Sequence, residues 1–275
     1  MTIYGKGKET YLYINGIEVS RPVSLGDDKI LLKAECSLKP DDMVNLAKSE
    51  IDLGVMAIFL RNVRSQLFIK AVNQKECAIK AWNSQWDAAL IGALFDCDAI
   101  CNFQCDKPAE EISDKDYFAI TNYHFRGFCN ELYKVKEEDA LWLEKYYINA
   151  KKLLDKPQFC NAIHCLSSYR WHPHPRPRLA LIWAGIEAIF NIHSELTFRI
   201  SLYIAEFLSP DDRTRKKEIF KEVKNLYSKR SDAVHGEDLK EDRNESVRAS
   251  ARLLQDLVKK IIEEGYLPDC KNLVP

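Results

Sequence analysis

An arginine and a histidine with four residues between them, Arg230 and His235, close a long basic segment of this chain. An imidazole takes up and releases a proton near neutral pH, and a planar guanidinium holds two phosphate oxygens with its fork of donors. Together they supply what RNA cleavage without a metal ion requires, because RNA carries its own nucleophile, the 2′-hydroxyl. On spacing alone the pair could also be structural, with the histidine capping a helix end and the arginine bridging a carboxylate.

The basic segment that leads into this pair is a candidate polyanion-binding surface. Between residues 213 and 230, eight arginines and lysines stand against two glutamates, an excess of six positive charges. Arg213, Lys217, Lys221 and Lys224 follow helical spacing and would form one stripe. A polyanion could bind there, although a solvated helix face has the same composition. The net charge of the chain is only −1, so affinity for nucleic acid must come from local patches of this kind.

The helices that must position these residues occupy the C-terminal half. From about residue 137 onward the apolar periodicity predicts an all-α bundle of five or six helices. Residues 179–192 predict a strongly apolar helix whose one charged residue is Glu187. A buried carboxylate needs a partner, and Arg230 is the candidate. Ser194 is expected to cap the helix that follows.

The N-terminal half predicts a smaller mixed unit. Asn15-Gly16 between two apolar runs predicts a tight β-hairpin, because this dipeptide accepts the positive φ angles of a two-residue turn. Further strands are expected at residues 30–36, 67–72, 78–81, 99–103 and 117–121, and a buried helix at 86–95. We therefore expect an α+β protein with a mixed α+β domain over 1–136 and an all-α helical bundle over 137–275.

The bulk composition indicates a globular protein of a reducing compartment. Hydrophobic residues make up 46% and charged residues 29% of the chain. The nine cysteines are irregularly spaced, which argues against a disulfide framework. The chain starts without the apolar run of a signal peptide, and no apolar stretch is long enough for a membrane span. We expect a cytoplasmic protein that does not interact with a membrane. The sequence contains no Gly-rich phosphate loop, so we expect no cofactor.

Two groups of cysteine and histidine residues raise the question of a metal site. They are Cys97, Cys101 and Cys105, and Cys160, His164 and Cys165. Neither group has the paired Cys-x2-Cys spacing typical of zinc sites, so we interpret the cysteines as small buried apolar side chains and expect no metal. His172 and His174 lie among prolines and are expected to be exposed loop residues.

Residues 158–265 resemble the HEPN superfamily of helical domains, and within it the Apea-like branch. Three segments carry the resemblance: the apolar helix 181–190 with Glu187, the next helix with Phe198-Arg199-Ile200 and residues 205–208, and residues 226–236. The third contains the pattern Arg-x(4–6)-His with a polar residue after the arginine. The resemblance implies a metal-independent endoribonuclease of a prokaryotic defence or toxin system that works as a homodimer.

The resemblance also implies roles for individual residues. His235 would be the general base or acid and Arg230 the phosphate clamp, with Ser231 and Asp232 supporting them and Glu187 orienting Arg230. RNA and a second copy of the chain are the implied partners, together with a regulatory protein or antitoxin. The N-terminal domain would sense, bind a partner or restrain the nuclease. The alternative is a non-catalytic HEPN module that dimerises and binds RNA or another ligand, in which His235 is structural.

Overall fold

The chain folds into two compact units, Met1–Ile148 and Asn149–Pro275. A computed structural model describes residues 7–26, 28–123, 131–192, 196–235 and 243–273, without the side chains of residues 196, 232–235 and 243. All described strands lie in the first unit, together with several helices, and the second unit is helical, so the expected α+β class with a helical C-terminal part is confirmed. The division between the units falls inside a helix, Glu137–Leu153, rather than at the expected boundary after residue 136.

The first unit is built around an antiparallel sheet. Its described strands are β1 (Glu9–Asn15), β2 (Ile17–Glu18), β3 (Val23–Gly26), β4 (Lys29–Lys33), β5 (Ser65–Lys70), β6 (Ile100–Cys105), β7 (Phe118–Ile120) and β8 (Tyr133–Lys134). Its helices are α1 (Pro40–Leu46), α2 (Glu50–Phe59), α3 (Gln74–Phe95) and the first part of α4 (Glu137–Leu153). Six strands pair in the order β3-β4-β5-β1-β6-β7, while β2 and β8 form a separate parallel pair.

The predicted hairpin at Asn15-Gly16 is wrong. Strand β1 pairs with β5 and β6, and β2 pairs with β8 instead of returning along β1. Gly16 does have a positive φ of +85°, and a Cβ there would lie 2.1 Å from the carbonyl oxygen of Asp98. The glycine is therefore needed because another backbone segment approaches closely, not because a two-residue turn occurs there.

The predicted strand at residues 78–81 is also wrong, because these residues belong to α3. Asn73 caps this helix by accepting a hydrogen bond from the backbone N–H of Glu76 at 2.9 Å, and Asp96 ends it in the left-handed region at φ +50°. The C-terminal half of α3 is buried nearly all round, so its sequence lacks the one-sided periodicity of a surface helix.

The second unit is a helical bundle in which α6 lies at the centre. Its described helices are α5 (Pro157–Ser168), α6 (Pro175–Phe190), α7 (Leu196–Leu208), α8 (Arg213–His235), α9 (Arg243–Glu264) and α10 (Cys270–Leu273). At Gly185 a Cβ would lie 2.9 Å from Leu254 and 3.0 Å from Cys165, so this glycine lets α5, α6 and α9 approach closely. Within the described ranges, no helix has the length and apolarity needed to cross a bilayer.

Helix α8, which carries the Arg230–His235 segment, is fixed at its start. The carboxylate of Asp212 accepts hydrogen bonds from the backbone N–H groups of Thr214 and Arg215, both at 2.9 Å. One turn further, Lys216 binds Glu206 of α7 at 2.6 Å. The short connection makes α7 and α8 antiparallel neighbours, and the α8 backbone continues to His235. The predicted cap Ser194 lies outside the described residues.

Candidate functional site

Arg230 and Glu187 form an ion pair between α8 and α6. The guanidinium Nη2 lies 3.2 Å from the carboxylate Oε1, and the two side chains are 23% and 25% exposed. The pair is therefore partly shielded from water but still reachable from solvent, which is the setting in which a charged group can meet a ligand. The ion pair that we predicted between Arg230 and Glu187, the one charged residue of the apolar helix, is therefore present.

Tyr227 packs against Arg230, and Trp183 packs against Tyr227. The guanidinium carbon of Arg230 lies 5.5 Å from the centre of the Tyr227 ring, and this ring meets Trp183 edge-on at 5.1 Å. Trp183 is fully buried, and its indole N–H donates a hydrogen bond to the hydroxyl of Ser250 at 3.1 Å. Arg230 thus packs against a connected set of side chains from α8, α6 and α9.

The ion pair leaves hydrogen-bonding capacity unused. Among the described residues, Arg230 Nε has no hydrogen-bond partner although it is inaccessible to solvent, and Glu187 Oε1, equally inaccessible, is in ion-pair contact with Arg230 Nη2 without a hydrogen bond. Burial first, and then the negative charge of Glu187, raise the pKa of the Tyr227 hydroxyl above its usual range, while Arg230 acts in the opposite direction. Buried polar atoms without a hydrogen-bond partner are uncommon in proteins, and a bound water, ion or ligand is one explanation for them.

A cleft of about 500 Å³ opens beside α8 in the same unit. It is lined by Thr197, Lys221, Lys224, Asn225, Tyr227, Ser228 and Ser231. All but Thr197 lie on α8, where Lys221, Lys224, Ser228 and Ser231 follow one another at intervals of three or four residues and so share one face. Two ammonium groups, four hydroxyl side chains and an amide give the cleft several hydrogen-bond donors and a positive charge, which suits a phosphate-containing ligand.

The predicted basic stripe borders this cleft. Arg213, Lys217, Lys221 and Lys224 are all exposed, as expected for a ligand-binding or solvated helix face. Lys221 and Lys224 form no ion pair with a carboxylate of the described chain. Their charges therefore remain available to an anion.

The residues predicted as a site are distributed over two flanks of α8. Ser231 lines the cleft, whereas Arg230 does not and instead faces α6, where it meets Glu187. His235 is the last residue of α8, and Asp232 lies in its final turn, but both side chains lie outside the described residues. The structure therefore brings Arg230 and Glu187 together. The role of His235 in the site stays a prediction.

Tyr227 and Thr197 belong to this region but were not singled out by the sequence. Tyr227 lies three residues before Arg230, so helical spacing places it one turn away on a neighbouring part of the surface. This spacing is a signal that could have been used. Thr197 reaches the cleft from α7, a contact that depends on how α7 and α8 pack.

The cysteines and histidines considered for a metal site differ in their exposure to solvent. Cys97, Cys101 and Cys105 are buried, and burial raises the pKa of the Cys101 thiol to about 12, so that it stays protonated at neutral pH. His172 and His174 are exposed, as predicted.

Comparison with protein-family models, with curated proteins and with solved structures gave no match. The resemblance to HEPN domains thus remains a prediction that rests on the residues quoted for it.

Proposed function

We propose that the helical unit is a metal-independent endoribonuclease of the HEPN type, acting in the cytoplasm as a homodimer within a prokaryotic defence or toxin system. The observation that carries the proposal is Arg230, held by Glu187 at 3.2 Å with 23% of its side chain exposed, adjacent in sequence to Ser231 of the basic cleft. A guanidinium fixed in this way can bind a phosphate without reorganising. The N-terminal unit would sense a signal or bind a regulatory protein or antitoxin.

The proposed reaction uses the 2′-hydroxyl of the RNA as nucleophile. The imidazole of His235 removes its proton, the 2′-oxygen bonds to the adjacent phosphorus, and the bond from phosphorus to the 5′-oxygen breaks. An acid returns a proton to that 5′-oxygen, and Arg230 stabilises the charge that builds up on the phosphoryl oxygens. The products are a 2′,3′-cyclic phosphate and a 5′-hydroxyl. One Arg–His pair per chain supplies one imidazole, so a second copy would supply the acid.

The cleft would hold the RNA strand that leads to the reacting phosphate. From Lys221 to Ser231 the face of α8 extends ten residues, about 15 Å at 1.5 Å per residue. This length matches about four stacked nucleotides at 3.4 Å each. The lysines would contact phosphates, and the serine hydroxyls and the Asn225 amide would contact phosphate or sugar oxygens.

The test of this function is cleavage of RNA in excess EDTA. We expect the purified protein, or the protein with its activator, to cut single-stranded RNA and to leave cyclic phosphate ends, detected by mass spectrometry of the fragments. DNA and 2′-O-methyl RNA of the same sequence should stay intact, because both lack the nucleophile. Equal cleavage of DNA, or a requirement for added metal, would contradict the mechanism. RNA binding without any cleavage would support the non-catalytic module instead.

A second expectation concerns the salt dependence of RNA binding. Each lysine that neutralises one phosphate of a single strand contributes about −0.7 to the slope of log K against log salt concentration. Lys221→Ala and Lys224→Ala should each make the slope shallower by about this amount, and the double variant by about twice as much. Titrations by fluorescence anisotropy from low to moderate salt measure the slope. Lys259→Ala, a lysine of α9 outside the cleft lining, is the matched control. An unchanged slope in the double variant would remove the cleft from the binding surface.

A further inference from the structure

Two phenylalanine rings form an aromatic patch on the α7–α8 surface. Phe198 is 58% exposed, whereas phenylalanine is usually buried in the core of a protein. Its ring meets that of Phe220 at a centroid distance of 5.8 Å and an interplanar angle of 73°. The contact fixes Phe198 on the surface, so the patch is a preformed feature.

The aromatic patch lies on the same two helices that line the cleft, α7 and α8, and α8 also carries the basic stripe. Phe220 is three residues after Lys217 and four before Lys224, so the three side chains share one face of α8. Each phenylalanine is also the neighbour in sequence of a residue of the cleft lining, Thr197 for Phe198 and Lys221 for Phe220. Aromatic and basic side chains are therefore interleaved on the same surface.

We propose that Phe198 and Phe220 form a stacking subsite for a nucleobase of single-stranded RNA, a proposal that rests on RNA being the ligand of the cleft. An exposed ring beside lysines matches a strand that offers an apolar base face and a phosphate at every nucleotide. A duplex keeps its base faces stacked on one another, so the subsite selects unpaired RNA. A protein partner is less well matched, because the apolar area is only two rings and lysines surround it.

The position of the subsite also predicts which nucleotide it holds. Phe220 precedes Arg230 by ten residues on α8, about 15 Å along the helix axis. At 3.4 Å per stacked nucleotide, the stacked base lies about four nucleotides from the phosphate that Arg230 would hold. The enzyme would therefore need a few unpaired nucleotides on one side of the cut, beyond the reacting linkage itself.

The experiment compares bases with abasic sites at constant backbone charge. Two 2′-O-methyl oligouridylate 8-mers, one intact and one with central abasic positions, are titrated against wild type and Phe198→Ala by fluorescence anisotropy. Wild type should bind the intact strand about tenfold more tightly than the abasic strand, in the range measured for base–aromatic stacking. Phe198→Ala should lose most of this preference while binding the abasic strand as wild type does. Phe198→Tyr should retain the preference, since it keeps the ring.

A matched aromatic variant distinguishes stacking at Phe198 from the general loss of a surface ring. Tyr266→Ala removes another exposed aromatic ring of the helical unit that does not line the cleft, and it should leave the preference unchanged. Phe198 is more than half exposed, so its replacement is compatible with folding, which circular dichroism verifies. Because 2′-O-methyl strands cannot be cleaved by the proposed mechanism, the binding result does not depend on nuclease activity. A base preference without cleavage of ordinary RNA would support the stacking subsite and contradict the proposed nuclease activity.

Three results would overturn the subsite. They are an undiminished base preference in Phe198→Ala, equal affinity of wild type for duplex and single strand, and no binding of either oligonucleotide. If Phe198→Ala instead changes the oligomeric state seen by light scattering while the base preference persists, the aromatic patch contacts a second copy of the chain and not a base.

Discussion

Replacing Arg230 by alanine is expected to slow RNA cleavage about 10²- to 10³-fold, the cost of removing one preorganised donor from a developing oxyanion. The guanidinium is held by Glu187 at 3.2 Å and lies over the Tyr227 ring, so it is already oriented before a substrate arrives. The loss should appear in the single-turnover rate at saturating RNA and much less in the dissociation constant, because Arg230 would act on charge that forms in the transition state. Rapid-quench measurements in EDTA give both quantities. His235→Ala should lower the rate at least as strongly.

Arg230→Lys and Glu187→Gln test how the arginine acts. Lysine keeps the charge but lacks the planar fork, so Arg230→Lys should remain severely impaired. Glu187→Gln keeps the shape of the side chain but removes the charge that orients Arg230, and a fall of about tenfold is expected from misplacement alone. In the Arg230→Ala background, Glu187→Gln should have no further effect, since its role is exerted through the arginine.

A purely structural ion pair would behave differently. In that case Arg230→Ala and Glu187→Gln would lower the melting temperature while the rate per folded molecule stayed near that of wild type. The two charged side chains are about a quarter exposed, so solvent screens the pair and limits its contribution to stability. Thermal unfolding of each variant, measured beside its rate, therefore decides between the two roles.

The contact between Arg230 and Glu187 could be predicted because one physical rule applies strongly at position 187. A single carboxylate in an otherwise apolar helix must find a cation or a donor when the helix is buried. Arg230 lies in the segment expected to pack near it, and no detailed geometry was needed. Tyr227 was missed, although its spacing of three residues from Arg230 places it next to the pair.

The features that the sequence does not predict correctly depend on contacts between distant segments. The Asn15-Gly16 dipeptide indicates a local turn, whereas the Asp98 carbonyl, 82 positions after Gly16, determines the conformation of the glycine. Residues 78–81, Ala-Ile-Lys-Ala, are too short a segment for periodicity alone to assign it to a strand or a helix. The cleft likewise depends on the packing of Thr197 against α8, which no local pattern encodes.

A buried charged network in the first unit was not predicted either. Lys29 of β4 and Asp87 of α3 are each 1% exposed and meet at 2.5 Å, and the Tyr147 hydroxyl donates a hydrogen bond to the same carboxylate at 2.7 Å. Burial and the neighbouring Asp87 hold the pKa of Tyr147 well above its usual range, so the tyrosine stays a donor. Lys29 lies two residues before the inward-facing Leu31, and this alternation was the available signal.

Asp87→Ala is expected to lower the free energy of unfolding by about 3–5 kcal/mol, because it leaves the Lys29 ammonium buried without its carboxylate. Urea unfolding, followed by circular dichroism and tryptophan fluorescence, measures the change. Lys29→Met combined with Asp87→Leu and Tyr147→Phe should recover most of the loss, since it removes both buried charges and the hydroxyl that would otherwise lose its acceptor. Glu9→Ala breaks an ion pair with Lys70 in which both side chains are more than half exposed, and it should cost under about 1 kcal/mol. If Asp87→Ala proved as mild as Glu9→Ala, water or another group would have to compensate Lys29. A triple variant as unstable as Asp87→Ala would show that the network specifies the packing of α3 and β4 beyond satisfying its own charges and hydrogen bonds.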